Sequence, residues 1–306
     1  MDVIAGARVE TRRKVLEAMA KLDYSPNVAA RALRRGDYGT IGVLAHRLGH
    51  TGEASTVEAI AAAARKHGQT IALVDVEDAD STAFEDAAAR LSLLSIDALI
   101  IVRANIDDPS RLVLPRRLRV FASDRRFDDR YPTIGTDEAG GVAAVMDHLM
   151  GLGHRRIAHI AGPDSSWAAQ ARESAWRTAL EAAGLPVTEP IVGDWSAASG
   201  RAAMTALLAR SGALAHTAVV CANDEMAFGA VSSAVEAGLS VPADLSVTGF
   251  DDIPLAGFST PPLTSVTQDF ARIGRELVEA ALGESHSAVV PATLVIREST
   301  APPRSA

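Results

Sequence analysis

The chain has 306 residues, 48% of them apolar and 22% charged, with a formal net charge of −8. Length and composition suit two globular domains with a sizeable core in each, and they exclude a disordered or collagen-like chain. No apolar run reaches the roughly 18 residues of a membrane span, residues 1–6 lack the basic and apolar regions of a secretory signal, and the single Cys221 excludes an internal disulfide, all of which fits a reducing cytoplasm.

Residues 1–40 carry eight Lys and Arg against five acids, a net of +3, whereas the other 266 carry 22 against 33, a net of −11. A basic arm on an acidic body is the distribution of a nucleic-acid contact joined to a ligand-binding body, although so small an excess also arises by chance. Val9-Glu10-Thr11 opens a helix with Val15, Leu16, Met19 and Leu22 at helical spacing, and the proline of Tyr24-Ser25-Pro26 stops it. A second short helix is expected over 27–33, from Asn27 as N-cap to a stop near Gly36. From residue 41 β-rich runs alternate with Ala-rich helical segments. Strands are expected at 41–44, 71–74, 98–102 and 120–122, with helices at 57–67 and 84–94 between them. A second series runs as helix 137–152, strand 156–162, helix 168–183, strand 190–194, helix 197–210, strand 218–222, helix 224–237 and strand 245–249. Such alternation implies right-handed βαβ units and parallel sheets covered on both faces. The fold class is therefore α/β, with two doubly wound parallel-sheet lobes behind a short helical arm, and the same arithmetic fits a single eight-unit barrel.

The usual marks of an enzyme are missing. The glycines of Gly36-Asp37-Tyr38-Gly39-Thr40-Ile41-Gly42 precede a strand instead of joining strand to helix, so they lack the geometry of a phosphate loop. His154 and His159 have no ligand-spaced neighbours, and Cys221 ends a strand that reads as buried; structural roles are expected for all three. More informative are polar residues at expected strand C-termini, where ligands bind in doubly wound sheets. Asp124, Asp194-Trp195, Asn223-Asp224 and Asp251-Asp252 occupy such places, and Arg172 stands early in a helix. Carboxylates and amides bind vicinal hydroxyls, an indole packs on the C–H face of a sugar ring, and a guanidinium offers a forked donor. Helix capping is the plainer role for Asn223 and Asp224. No acid–base pair is evident, so the residues favour a cleft that binds a polyhydroxylated small molecule without reacting.

These residues, in order, resemble the LacI/GalR family of bacterial transcriptional regulators along nearly the whole chain. The resemblance is carried by Glu10-Thr11-Arg12-Arg13-Lys14-Val15-Leu16, Leu22-Asp23-Tyr24-Ser25-Pro26-Asn27 and Ala30-Arg31-Ala32-Leu33 in the arm. In the body it is carried by Thr40-Ile41-Gly42-Val43, Leu152-Gly153-His154-Arg155-Arg156-Ile157-Ala158, Asn223-Asp224-Glu225-Met226-Ala227, Gly249-Phe250-Asp251-Asp252-Ile253-Pro254 and Pro261-Pro262-Leu263-Thr264-Ser265-Val266. It implies a headpiece remnant over 1–26, a hinge helix and linker over 27–39, a first lobe of 40–136 and 267–288, a second lobe of 137–266 and 289–300, and a tail of 301–306.

Carried over position by position, the resemblance places Arg172, Asn223 and Asp251 on effector hydroxyls, Trp195 and Phe270 as apolar walls, and a further polar contact at Ser123 or Asp124. His46 and Gln268 complete the expected effector site. His46 stands where a galactoside-binding member has a small hydroxyl residue and Val102 where it has an amide, which weighs against a β-galactoside and leaves another sugar as the expected effector. In the hinge, Leu33 corresponds to a leucine wedged into a minor-groove base step, with Asn27, Ala30 and Arg31 against the groove or its phosphates. The implied function is a dimeric, cytoplasmic repressor of operator DNA, switched by a sugar-like effector, with no cofactor, metal or membrane partner. The alternative is a stand-alone carbohydrate-binding protein. Against the family pattern, roughly the first twenty residues of the helix-turn-helix are absent, so operator affinity is expected to fall by several kcal/mol.

Overall fold

The computed structural model describes residues 9–22, 38–76, 81–102, 112, 114, 118–211, 215–283 and 285–304. Two units are separated by their internal contacts, residues 1–39 and residues 40–306. In the first, α1 (Val9–Lys21) forms where the helical spacing begins. Arg13 pairs with Glu10 at 2.8 Å and Glu17 at 2.6 Å on its exposed surface, contacts that add little stability in water. The expected second helix, with Asn27, Ala30, Arg31 and Leu33, lies outside the described residues.

The second unit alternates strands and helices. β1 (Thr40–His46), α2 (Thr51–Lys66), β2 (Thr70–Val76), α3 (Ser81–Leu93), β3 (Ala98–Val102) and β4 (Arg119–Ala122) build a first lobe. Its four parallel strands lie in the order β2-β1-β3-β4. Ile41–His46 and all of β3 are buried, as expected for central strands covered on both faces. β5 (Ile134–Thr136) extends the sheet through a bridge from Ala122 to Thr133.

The chain then crosses over. α4 (Glu138–Gly151), β6 (Ile157–Ala161), α5 (Trp167–Ala182), β7 (Ile191–Val192), α6 (Ala197–Ser211), β8 (Ala218–Cys221), α7 (Asp224–Glu236) and β9 (Ser246–Thr248) form a second lobe around a parallel sheet ordered β7-β6-β8-β9. β10 (Ser265–Thr267) returns the chain to the first lobe, where α8 (Phe270–Leu282) packs Ile273, Leu277, Val278 and Ala281 into the same core as Ile41 and Val43. That i, i+4, i+5, i+8 spacing is one face of a helix. β11 (Ala288–Val290) pairs with β5, and the chain crosses a third time into β12 (Thr293–Val295), which pairs with β10. Val290 still belongs to the first core, so the third crossing falls just beyond the expected boundary at 288/289.

Close helix contacts depend on small residues. A Cβ at Gly229 of α7 would collide with the Ala197 carbonyl of α6 and lie 2.6 Å from the Arg201 nitrogen. One at Gly274 of α8 would lie 2.5 Å from Ala59 of α2. Among the described residues no helix is long and apolar enough to cross a membrane.

Candidate functional site

The C-terminal ends of strands from both lobes face one cleft, the position that doubly wound sheets reserve for ligands. Ser123 and Asp124 follow β4, Thr136 ends β5 and Glu138 lies just beyond it, Ser166 and Trp167 follow β6, Asn223 follows β8 and Asp251 follows β9; His50, Thr51, Glu53 and Thr56 join them from the start of α2. About 30 Å³ of this cleft is free for a water-sized molecule, within a space of about 650 Å³ that includes open solvent.

Arg172 is the centre of this cleft. One turn inside α5, its side chain is only 1% exposed and is paired with Glu138, itself 4% exposed. Nε donates to Glu138 Oε2 at 2.7 Å, Nη1 donates to the Ala222 carbonyl, and Nη2 stands 3.7 Å from Asp251 Oδ1 without a hydrogen-bond partner. The guanidinium lies over the Phe250 ring, 3.7 Å from its centroid, and 5.6 Å from that of Trp195. A charged donor held from three sides and missing one partner is a prepared contact for a ligand oxygen.

Asp251 and Asp252 both adopt positive φ, 107° and 50°, in the turn after β9. Such backbone is strained for residues other than glycine and is retained where the surroundings fix it. Here the Asp251 nitrogen donates to the Val266 carbonyl at 2.8 Å, Gln268 donates to Asp251 Oδ1, and Asp252 pairs with Arg297 at 2.7 Å. Trp195, φ 74°, lies against Gly162, where a Cβ would come within 2.5–2.8 Å of the indole. A glycine at 162 is therefore what lets the ring form the cleft wall.

Behind this wall, burial and Asp251 raise Asp224 well above the usual carboxylate range. Its oxygens accept from Ser265 Oγ at 2.5 Å and from the Ile253 nitrogen at 2.8 Å, so it braces the loop that presents Asp251. The Asp194 carboxyl is held below its usual range by hydrogen bonds from Ser196, and burial lowers His50.

Of the expected effector residues, Ser123, Asp124, Arg172, Trp195, Asn223 and Asp251 meet in the cleft. His46, Gln268 and Phe270 are not among its described lining residues, and each has a different setting. His46 is buried at the end of β1, its ring 6.4 Å from that of Phe84. Gln268 ties Thr136 to Asp251 behind the cleft floor, with Thr136 Oγ1 2.5 Å from its Oε1. Phe270, half-buried, begins α8. Asn223 is committed to the protein: Oδ1 caps α7 through the Met226 nitrogen, and Nδ2 donates to the Trp195 carbonyl and Glu225, each at 2.9 Å. Asp124 caps the turn Arg125–Phe127 and pairs with Arg126 at 3.1 Å.

Glu53, Thr56, Thr136, Glu138, Ser166 and Trp167 also line the cleft and are not apparent from the sequence pattern. The signal that finds Thr136 and Glu138 is again a strand C-terminus, but β5 has only three residues and carries no readable period. Outside the cleft, His154 bonds Thr217 and the Ala301 carbonyl, and His159 donates to the Val220 carbonyl at 2.8 Å. Cys221 is buried, which pushes its thiol up and leaves it inert.

Two parallel-sheet lobes, three crossovers and a polar cleft at facing strand ends define a ligand-binding core of the periplasmic-binding-protein type. Residues 146–300 match the family model of the periplasmic binding protein-like domain. The lactose operon repressor of Escherichia coli (strain K12) is 33% identical over 302 residues, covering 96% of this chain and 83% of that protein. A lac repressor dimer bound to operator and the anti-inducer ONPF superimposes with a TM-score of 0.85 at 30% identity, over 97% of this chain and 92% of that one. The complex of the transcriptional regulator CelR with cellobiose gives 0.77 at 28% identity, over 96% and 92%. The chain belongs to the LacI/GalR family of transcriptional regulators.

Proposed function

We infer that this protein is a ligand-responsive transcriptional repressor of the cytoplasm, binding operator DNA as a homodimer and switched by a small sugar-like effector in the cleft. The observation that carries this reading is the cleft itself. Arg172 keeps one buried donor open beside Asp251, hydroxyls of Ser123, Thr56 and Thr136 stand nearby, and Trp195 and Trp167 supply flat apolar walls. That is the chemistry of a ring with several hydroxyls, and no nucleophile with a placed base accompanies it among the described residues.

The effector contacts are Arg172, Asp251, Trp195 and Asp124, with Ser123 beside Asp124. Asn223 acts by holding the Trp195 loop. The relatives bind cellobiose in one case and operator with an anti-inducer in another, which supports a saccharide effector here. Effector binding is coupled to the crossovers because Gln268, on the second crossing, bonds both Thr136 on the first and Asp251 in the cleft. A ligand that favours one lobe arrangement shifts its population and thereby the spacing of two hinge segments across the dimer. Exposed apolar side chains on the second lobe, Val235 and Leu255 along one groove and Phe258, support a dimer. Asn27, Ala30, Arg31 and Leu33 are the DNA contacts of this reading.

The test is calorimetry against a panel of mono- and disaccharides. One of them is expected to bind saturably, and Arg172→Ala or Asp251→Ala should weaken it at least tenfold. Binding left intact by both substitutions removes these residues from the site, and turnover of any sugar replaces the reading with an enzyme.

A further inference from the structure

Among the described residues, two side-chain hydrogen bonds join the lobes at the sides of the cleft, away from the crossovers. At one, Thr51 Oγ1, in the first turn of α2, donates to Glu225 Oε1, in the first turn of α7. The other Glu225 oxygen accepts from Asn223 Nδ2 at 2.9 Å, so the carboxylate is fixed on its own lobe before it reaches across. At the second place Arg126, held by Asp124, donates from Nη1 to the Ser165 carbonyl at 3.1 Å. Thr51, Asp124 and Ser166 line the cleft, so both contacts flank the route by which a ligand enters. His50, next to Thr51, feels Asp194 and Glu225 of the second lobe, opposed by Arg47 on its own.

We propose that the Thr51–Glu225 hydrogen bond is a latch that holds the empty cleft closed, with Glu225 as the positioning residue and Asn223 as its anchor. Glu225 is well built for this task. It is half-buried and triangulated, and it stands at an α-helix N-terminus, where the helix dipole favours a carboxylate. A hydrogen bond to a charged group changes a two-state ratio by about tenfold or more. Breaking the latch therefore shifts the closed-to-open ratio by that factor without touching the fold of either lobe. The latch makes opening a separate event that precedes ligand entry, and its geometry rests on the two lobes alone; its value for regulation rests on the cleft being the effector site.

The experiment needs no effector. Pulsed electron–electron distance measurements use spin labels at Glu58→Cys on the first lobe and Glu181→Cys on the second, both exposed helix positions, while Cys221 stays buried and unlabelled. Labelled protein is diluted with unlabelled protein so that only distances within a chain are read. The unsubstituted chain should give one narrow distribution. Thr51→Val and Glu225→Ala should each add a longer-distance population corresponding to about a tenfold shift. The double variant should add no more than either alone, because both remove the same bond. Thr51→Ser, which keeps the hydroxyl, and Glu236→Ala, which breaks a pair with Arg201 inside the second lobe, should leave the narrow distribution unchanged. Distributions that coincide for Thr51→Val and the unsubstituted chain overturn the latch, as does opening by Thr51→Ser or additivity in the double variant. Failure of the sugar panel with an intact latch would overturn the effector reading and leave the latch standing.

Discussion

Replacing Arg172 by methionine tests the electrostatic core of the cleft. Arg172 is 1% exposed and Glu138 4%, and the Nε–Oε2 distance is 2.7 Å. Methionine keeps most of the packing on Phe250 but breaks the buried ion pair with Glu138 and removes the donor to the Ala222 carbonyl. Breaking a buried ion pair by removing one partner costs about 3–5 kcal/mol. Against a total stability of about 5–15 kcal/mol, that is a large share. Adding Glu138→Gln removes the other half of the broken pair, so the double variant should regain about 2–3 kcal/mol of the loss. Urea unfolding followed by circular dichroism at pH 7.5 measures both. The reasoning is refuted if Arg172→Met costs less than about 1 kcal/mol, or if Glu138→Gln brings no recovery. Sugar binding should be lost in both variants, because neither restores the Nη2 donor.

Four further outcomes are expected. Burial lowers the His159 imidazole to about 4, so the folded state needs it neutral; the stability this leaves intact above its ordinary value near 6.5 is lost as pH falls towards 4, by about 3 kcal/mol, and His159→Gln should flatten that part of the urea-derived profile. An unchanged slope would assign the acid sensitivity to other groups. Gly162→Ala displaces the Trp195 ring, and should shift tryptophan emission and weaken sugar binding about tenfold with little loss of stability. Gly229→Ala drives backbone against backbone between α6 and α7 and should cost about 1–3 kcal/mol in thermal or urea unfolding; a neutral result would mean the helices separate freely. Phe258→Glu, at a side chain 84% exposed, should weaken the dimer in sedimentation equilibrium without lowering the unfolding free energy.

Much of the architecture was legible because the elements that build it are long and regular. Buried runs such as Ala98–Val102 and the alternation with Ala-rich helices identify parallel sheets, and Gly68 and Gly184 mark helix stops through positive φ. The strand-terminal rule picked out Asp124, Trp195 and Asp251, which line the cleft together with Arg172, a residue read instead from its place early in a helix. It failed at Thr136 and Glu138 because a three-residue strand has no period to read. Asn223 shows a different limit. Capping and site roles coexist there, since one amide caps α7 and carries the Trp195 loop. Gln268 shows a third: its partners Thr136 and Asp251 lie 132 and 17 residues away, and only the crossover geometry brings the three together. The cross-lobe contacts of Thr51 and Arg126 are likewise invisible to local pattern, because each depends on the relative placement of two lobes.

Coupling between effector and DNA is the central claim, and one titration tests it most directly. Fluorescence anisotropy would follow this chain on a palindromic duplex selected from a random pool, with and without the sugar that binds most tightly in calorimetry. The account predicts a sequence-dependent, saturable curve whose midpoint moves about fivefold or more when the sugar is present, in the range of ordinary coupling energies. Curves that coincide with and without the sugar, or no preference for the selected duplex over random DNA, would contradict it.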